Sequence, residues 1–419
     1  MTLSCFELGE RMLDVDQARQ AILGLAEGVL ESESQPLTAL HGRVLAADVV
    51  SPIDVPQHTN AAMDGIALAW TGTVSRPARW RQVGEVFAGM QDETWLAAGE
   101  CVAITTGAPL PKGADSVIMR EQLRRAEDDA CEVSVDRPER VKQGQNVRRA
   151  GEDIARGEVA LRAGTRLTSA ELGVMASLGI AEADVVRRPR VAVFSTGNEV
   201  TAPGASLPAA GIFDANRFSL AGLVGEHGGE VVDLGILPDD QAAIAHALQE
   251  AASHADLVLT SGGVSVGDAD HTRAALMESG DLGFWKVAIR PGRPLACGRL
   301  GCRGVPFLGL PGNPVAAMVT FLQFVAPLLA RFQGRPESPR RLTAIAEHAM
   351  KTRLGRADYL RGRYHSDGEG RLRVEVTGAQ GSGILSSMVM ANCLIEITTE
   401  REAVDAGDVV IIQPLFRYP

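Results

Sequence analysis

The chain has 419 residues, 45% hydrophobic and 22% charged, with a formal net charge of −11. That length predicts two to four domains with ample apolar material for their cores. The acidic balance argues against a broad nucleic-acid or membrane-surface footprint, and 4% aromatic content leaves little for base-stacking platforms.

The amino-terminal MTLSCFELGERML carries acidic residues, and no segment approaches the roughly 18 apolar residues that mark a membrane helix. The six cysteines (Cys5, Cys101, Cys131, Cys297, Cys302 and Cys393) are scattered and form no C-x-x-C. Reduced thiols and a cytoplasmic location are expected. Residues 16–28 read as a short amphipathic helix, and LHGRVLAADVVS as a helix end passing into a strand. Short β-like runs then follow between 52 and 145, broken by Gly and Pro: Ala67–Trp70, Val83–Phe87, Cys101–Thr105, Ser116–Met119 and Cys131–Val135. They predict a mostly β insertion. Residues 146–180 return to a helical pattern, with Thr168 and Glu171 spaced as a capping box.

RRPR at 187–190 marks a boundary, after which strands and helices alternate. VAVFS leads to a helix from about Asn216; EVVDLGIL precedes a helix over 241–254 with Ile244, Leu248 and Ala251 on one face. LVLTS runs into a glycine loop and a helix near 271–279; FWKVAI is a further strand. VPFLGL enters PGNP and a long apolar helix, with Asn313 as N-cap and Pro314 at the first helical position. Repeated βα units predict a parallel, doubly wound sheet whose ligands sit beyond the strand carboxyl ends. RFQGRPESPRR (331–341) is a linker, and the strand-like remainder, with a hairpin through SDGEG and a closing GDVVIIQP, predicts a small β-barrel or sandwich.

The glycine loop SGGVSVGDAD (261–270) nearly matches a phosphate-binding P-loop, but Asp268 stands where that motif needs Lys. Ser261, Gly262, Gly263, Ser265 and Gly267 can form a nest of inward-pointing N–H groups. Carboxylates beside phosphate need an intervening cation, and Mg²⁺ takes one or two carboxylates plus substrate oxygens. Asp268 and Asp270 therefore suggest a metal-bridged phosphate site; helix capping is the plain alternative for either. Glu199 follows another strand end, and Asp239 and Asp240 a third, where either aspartate can simply cap the next helix. Lys286, Arg290 and Arg293 cluster at a fourth, as an oxyanion site or a solvated basic edge. There is no G-x-G-x-x-G and no H-E-x-x-H, and the eight histidines are dispersed.

In order along the chain, AAMDGIAL, TTGAPLPKGADSVIM, VRRAGEDI, VAVFSTGNEV, LTSGGVSVGDAD, FWKVAIRPGRPLA, LGLPGNPVAAMVTF and GAQGSGILSSM resemble the molybdopterin molybdenumtransferase family, MoeA and the gephyrin E domain. The resemblance implies a multidomain α/β fold: a discontinuous helical amino-terminal domain (1–51 and 146–186), a β-rich insertion (52–145), a MogA-like doubly wound molybdopterin-binding domain (187–332) and a carboxyl-terminal β-barrel (333–419). It implies insertion of molybdenum from molybdate into adenylated molybdopterin, with Mg²⁺-assisted release of AMP. The functional positions it carries over are Asp64, Thr106, Asp153, Glu199, Asp239, Asp270, Lys286 and Arg290, with Arg361 and Ser382 in the barrel. Glu199, Asp239 and Asp270 are the expected metal ligands. The glycine loop and Pro311, Gly312 and Asn313 are the expected substrate cradle. A homodimer is implied, its site shared so that Asp64 and Thr106 act in trans, and contact with other molybdenum cofactor enzymes is admitted. No nucleic acid and no membrane are expected as partners. A tungstate-inserting paralogue and a gephyrin-like scaffold are the alternatives. Ile66 stands where the family usually has an aromatic residue, and Arg290 and Arg293 where Lys is frequent. Arginine keeps the charge but cannot readily give up a proton, so an oxyanion clamp suits these positions and a general acid does not.

Overall fold

Helix starts in this chain are written locally. Strand β1 (Met12–Leu13) leads into α1 (Val15–Leu23), where Asp14 accepts from the Gln17 N–H at 2.7 Å and Gln17 Oε1 accepts from the Asp14 N–H. That reciprocal box fixes the first turn. The helix stops at Gly24 rather than running to 28, since glycine is a poor helix former. The computed structural model describes residues 12–72, 78–90, 95–127, 129–262, 275 and 278–415. The chain divides into a larger unit (Met1–Ser34, Gly42–Ala46 and Asp184–Pro419) and a smaller one (Gln35–His41 and Ala47–Ala183).

In the smaller unit, β2 (Gly65–Leu68), β3 (Ala78–Val86), β4 (Glu100–Ile104), β5 (Ser116–Met119), β6 (Leu123–Arg125) and β7 (Glu132–Val135) form one sheet in the order β6-β7-β3-β4-β2-β5. The five β-like runs of the sequence are all strands, some with shifted ends; Leu123–Arg125 is an addition. Alternate residues bury on opposite faces: Ile66, Leu68, Trp80 and Ile118 on one, and Ala67, Val86, Val102 and Val117 on the other. Gly65 is not a turn residue, as Asp-Gly suggests. A Cβ there would lie 1.8 Å from the Ile118 carbonyl oxygen, so its bareness lets β5 approach β2. The helical expectation over 146–180 fails for most of its length. Strands Val147–Arg148 and Val159–Leu161 occupy it, and positive φ at Gly151, Gly157 and Gly164 is incompatible with a continuous helix. Only α2 (Ser169–Ser177) is helical, started by the Thr168–Glu171 capping box that the spacing predicted.

The larger unit resumes with β8 (Arg190–Thr196), α3 (Ala215–Glu226), β9 (Glu230–Leu237), α4 (Gln241–His254), β10 (Leu257–Ser261), β11 (Gly280–Val287), β12 (Ile289–Arg290), β13 (Pro294–Leu300), β14 (Val305–Leu310) and α5 (Pro314–Phe332). Seven strands form a sheet ordered β1-β11-β13-β14-β10-β8-β9. All run the same way except β13, which pairs antiparallel with both β11 and β14. The expected all-parallel sheet is thus interrupted once. Six residues, AIRPGR, separate β11 from β13, too few for a parallel crossover. The reversal leaves the carboxyl ends of β11, β14, β10, β8 and β9 on one edge. Val191, Val193, Leu257, Leu259 and Leu308 pack on the face covered by α1, α3 and α5. Ala192, Phe194, Val258 and Phe307 pack against Ile244, Leu248 and Ala251 of α4 on the other. That two-sided covering is the doubly wound arrangement.

By length and composition α5, with 19 residues, passes for a membrane span, contrary to the expectation that no segment comes near one. It is 89% buried, as the central core helix of this unit, with a π turn over Phe321–Val325. Beyond it, β15 (Leu342–Ala346), β16 (Ala357–Ser366), β17 (Leu372–Val376), α6 (Ser386–Met390), β18 (Cys393–Ile397) and β19 (Val409–Pro414) complete the chain. The strands close into a five-stranded barrel, β16-β17-β15-β19-β18 and back to β16, and β12 adds to β16 in parallel. The SDGEG hairpin joins β16 to β17, pairing Ser366 with Leu372.

Candidate active site

Five strand ends of the sheet in the larger unit carry most of the residues singled out by sequence. After β8, the Gly197 φ of +128° turns the chain so that the Glu199 carboxylate folds over it; a Cβ on Gly197 would meet Oε2 at 2.6 Å. Behind this turn Asp214, buried, caps α3 and accepts from Ser195 Oγ at 2.9 Å and Arg217 Nε at 2.8 Å, and Arg217 also reaches Asp233. This network locks the β8–α3 connection from below. After β9, Asp240 accepts from the Ala243 N–H at 2.8 Å and caps α4. Asp239, partly buried, has no hydrogen-bond partner among the described residues. The sequence left open which aspartate caps; it is Asp240, and Asp239 is uncommitted.

At the ends of β10 and β14 the backbone closes on itself. Gly262, at φ +92°, donates its N–H to Leu310 O at 3.1 Å, and a Cβ on Gly312 would sit 3.7 Å from the Gly262 Cα. Asn216 Nδ2 donates to Ser261 Oγ and to Gly312 O, each at 2.7 Å, and Ser261 Oγ donates to Pro311 O at 3.3 Å. Ser261, Gly262, Pro311, Gly312 and Asn313 are therefore brought together by Asn216, a residue that sequence reasoning passed over. Nothing local marks it; only the fold places the start of α3 against two other strand ends. Gly263, Ser265, Gly267, Asp268 and Asp270 lie outside the described residues, as does most of the helix expected near 271–279. Asn313 is the N-cap and Pro314 the first residue of α5, although the Asn313 side chain makes no capping bond.

The basic group sits beside these ends. Lys286 is exposed near the end of β11. The Arg290–Arg293 loop is pressed on α5: a Cβ on Gly292 would meet Thr320 Cγ2 at 2.4 Å. Arg290 Nη2 donates to Asp358 Oδ2 at 2.5 Å, on the neighbouring strand β16. Asp358 is fully buried; desolvation pushes its pKa up against the opposing effect of Arg290. Three residues on, Arg361 is 1% exposed and donates to Ser387 Oγ and Gly381 O, each at 3.1 Å. Burial lowers its pKa to about 10, with Arg290 adding in the same direction, so it stays charged at neutral pH. Ser382 O accepts from the Val315 N–H at 3.0 Å, tying the barrel loop to the first turn of α5.

Asp64, Thr106 and Asp153 belong to the smaller unit. Thr106 donates both its N–H and its Oγ1–H to Asp64 Oδ1 at 2.7 Å, and these bonds hold the carboxyl below its usual range. Asp153 is exposed, its N–H donating to Val55 O at 3.0 Å. Among the described residues no three His, Cys, Asp or Glu side chains gather as a metal site. A groove of about 770 Å³, lined by Phe218, Met318, Leu322 and Leu394 together with Glu226, Arg335 and Arg340, contains none of the residues above, so chemistry rather than volume identifies the site.

Three family models match the chain. "MoeA N-terminal region (domain I and II)" covers residues 13–179, "Probable molybdopterin binding domain" 192–331 and "MoeA C-terminal region (domain IV)" 343–415. A molybdopterin molybdenumtransferase of Haemophilus influenzae is 42% identical over 405 residues, 96% of this chain and 98% of the relative. One from a Nostoc species is 33% identical over 91% of this chain and 89% of its own length. The crystal structure of a molybdopterin biosynthesis MoeA protein from Pyrococcus horikoshii superposes with a TM-score of 0.83 at 30% identity, covering 97% of this chain and 100% of that one.

Proposed function

The chain belongs to the molybdopterin molybdenumtransferase family, enzymes of molybdenum cofactor biosynthesis, and from that premise we propose that it inserts molybdenum, supplied as molybdate, into the dithiolene of adenylated molybdopterin with release of AMP. The observation that carries the reading is the division of labour after β9. Asp240 satisfies the helix, so Asp239 is free for a ligand at the edge where Ser261, Gly262 and Gly312 converge. An unspent carboxylate beside glycine-rich strand ends suits an anionic substrate only if a cation intervenes. Asp239 and Glu199, which follow the ends of adjacent strands, and Asp270, which lies outside the described residues, would offer only oxygen donors, the kind Mg²⁺ takes. Bound there, Mg²⁺ would offset the phosphoanhydride charge and polarise phosphorus.

The chain's own residues take the remaining tasks. The glycine loop from Gly262 to Gly267 is assigned to the phosphates, and Pro311, Gly312 and Asn313 to the same cradle. Lys286 and Arg290 receive molybdate, a tetrahedral dianion, or the departing phosphate charge. Arg361, charged and buried among neutral partners, favours anionic substrate groups. Asp64, held ionised by Thr106, and Asp153 are carried over to the same reaction from the family resemblance. Water hydrolyses the phosphoanhydride of the adenylate, so that AMP and the pterin phosphate separate. We also carry over the four-domain division, a cytoplasmic location and a homodimer.

Incubating the purified chain with adenylated molybdopterin, Mg²⁺ and molybdate is expected to release AMP and yield cofactor that activates an apo-molybdoenzyme. Folded protein that releases no AMP above a blank would overturn the reading.

A further inference from the structure

Arg290 is the one sequence-selected cation of the larger unit that is fixed by an ion pair among the described residues. Its side chain is 35% exposed, and the Asp358 side chain that holds it is 0% exposed. The pairing is built into the backbone: β12 lies parallel to β16 with Arg290 opposite Asp358, and the Ala357 N–H donates to Ala288 O at 2.8 Å. Asp358 is costly where it stands. Its Oδ1 is buried with no donor at hydrogen-bond geometry, although the Arg353 N–H and Arg356 favour its charged form. A carboxylate kept in so dry a place, with one oxygen unspent, serves poorly as a simple stabiliser, because buried pairs rarely repay their desolvation. What the pair does secure is geometry. One Nη of Arg290 is committed to Asp358, and its remaining N–H donors make no other side-chain bond among the described residues.

We propose that Asp358 is a positioning residue for the reaction, holding the Arg290 guanidinium in the orientation that receives a tetrahedral oxyanion. The inference rests on the reading of Arg290 as an oxyanion holder. Arginine binds such ligands through a planar fork, so a fixed plane matters as much as the charge. Charge alone gives the opposite expectation: removing a neighbouring carboxylate should strengthen anion binding.

The test is isothermal titration of the full chain with sodium molybdate, alongside thermal melts. Arg290→Gln and Asp358→Asn are each expected to weaken molybdate binding about tenfold, and the double variant to be no weaker than Arg290→Gln alone, within about twofold. Asp358→Asn binding as tightly as wild type, or more tightly, overturns the inference, and so does a double variant in which the two losses multiply. A purely structural role would lower the melting temperature and add its loss on top of Arg290→Gln. If Asp358→Asn does not fold, Asp358→Glu serves: it keeps the charge but displaces it by a methylene, and must weaken binding at least about threefold. Unchanged affinity there overturns the inference. An Arg290→Gln chain that binds molybdate as wild type overturns the functional reading of Arg290 and the inference with it. Failure of the Asp358 variants alone leaves that reading standing.

Discussion

Asp64 owes its depressed pKa first to Thr106, whose N–H and hydroxyl both donate to the same oxygen, with the charge of Arg120 adding in the same direction. The depressed folded value means the carboxylate survives to lower pH than the ordinary 3.8, and its favourable contribution is lost only as pH falls through the depressed value. Thr106→Val removes the hydroxyl and keeps the backbone bond. The Asp64 carboxyl is then expected to titrate at higher pH, read from the carbonyl resonances of labelled aspartate; an unmoved titration would show that the hydroxyl contributes nothing. Asp64→Ala is expected to lower AMP release about a hundredfold with little change in melting temperature, because the side chain is exposed.

The neighbours Asp239 and Asp240 give a second residue-scale test. Asp240→Ala loses the α4 cap, a cost of about 1 kcal/mol, and is expected to lower the melting temperature while AMP release persists. Asp239→Ala is expected to do the reverse, holding stability while slowing turnover. If both variants lose only stability, Asp239 has no part in the chemistry. Sequence offered both residues for both roles, since either aspartate precedes the helix closely enough to cap it. The choice is made by backbone angles: Asp240 at φ −129°, ψ 125° presents its carboxylate to the Ala243 N–H.

At the scale of elements, the apolar runs were legible because burial on both faces demands them: EVVDLGIL, LVLTS and the helix over 241–254 stand where the pattern put them. What escaped was direction. PLACGRL is a strand, yet its reversal between β11 and β14 follows from the shortness of AIRPGR and not from any feature of the strand itself. The Asn216 clamp and the Asp358–Arg290 pair escaped for a related reason, because each joins elements far apart in the chain. The same short loop supplies the element-scale prediction. Gly292 has φ +112° and no room for a Cβ against Thr320. Gly292→Ala is expected to cost about 1–3 kcal/mol in calorimetry and to weaken molybdate binding, by moving the Arg290 loop off α5. Gly84→Ala, whose Cβ would meet nothing nearer than Val102 Cγ1 at 3.7 Å, is the control and should leave both unchanged.

For the whole molecule, the sequence divides by texture and the structure by contact. The barrel residues Ala357, Tyr359, Met388 and Leu394 share one hydrophobic cluster with the sheet and α5, so barrel and doubly wound sheet fall in a single unit. That joint burial is why Ser382, remote in sequence, meets the start of α5, with Arg361 bonded to the neighbouring Gly381. Asp64 and Thr106 fall in the other unit, with Asp239, Lys286 and Arg290 in the first.

The homodimer and trans action implied by the family resemblance make a quantitative prediction from this division. Asp64→Ala and Asp239→Ala chains should each be inactive alone. In a twofold dimer with shared sites, a mixed dimer of the two has one centre with both defects and one with neither. Equal amounts allowed to exchange subunits give about half mixed dimers, each with one intact centre of two, so AMP release should recover to about a quarter of the wild-type rate. If both residues serve a centre from the same chain, every centre in the mixture carries one defect and no activity returns. Sedimentation must show a dimer in the same buffer for the recovered rate to bear this meaning. A dimer with no recovery would assign Asp64 to its own chain, and a monomer would remove the shared centre altogether.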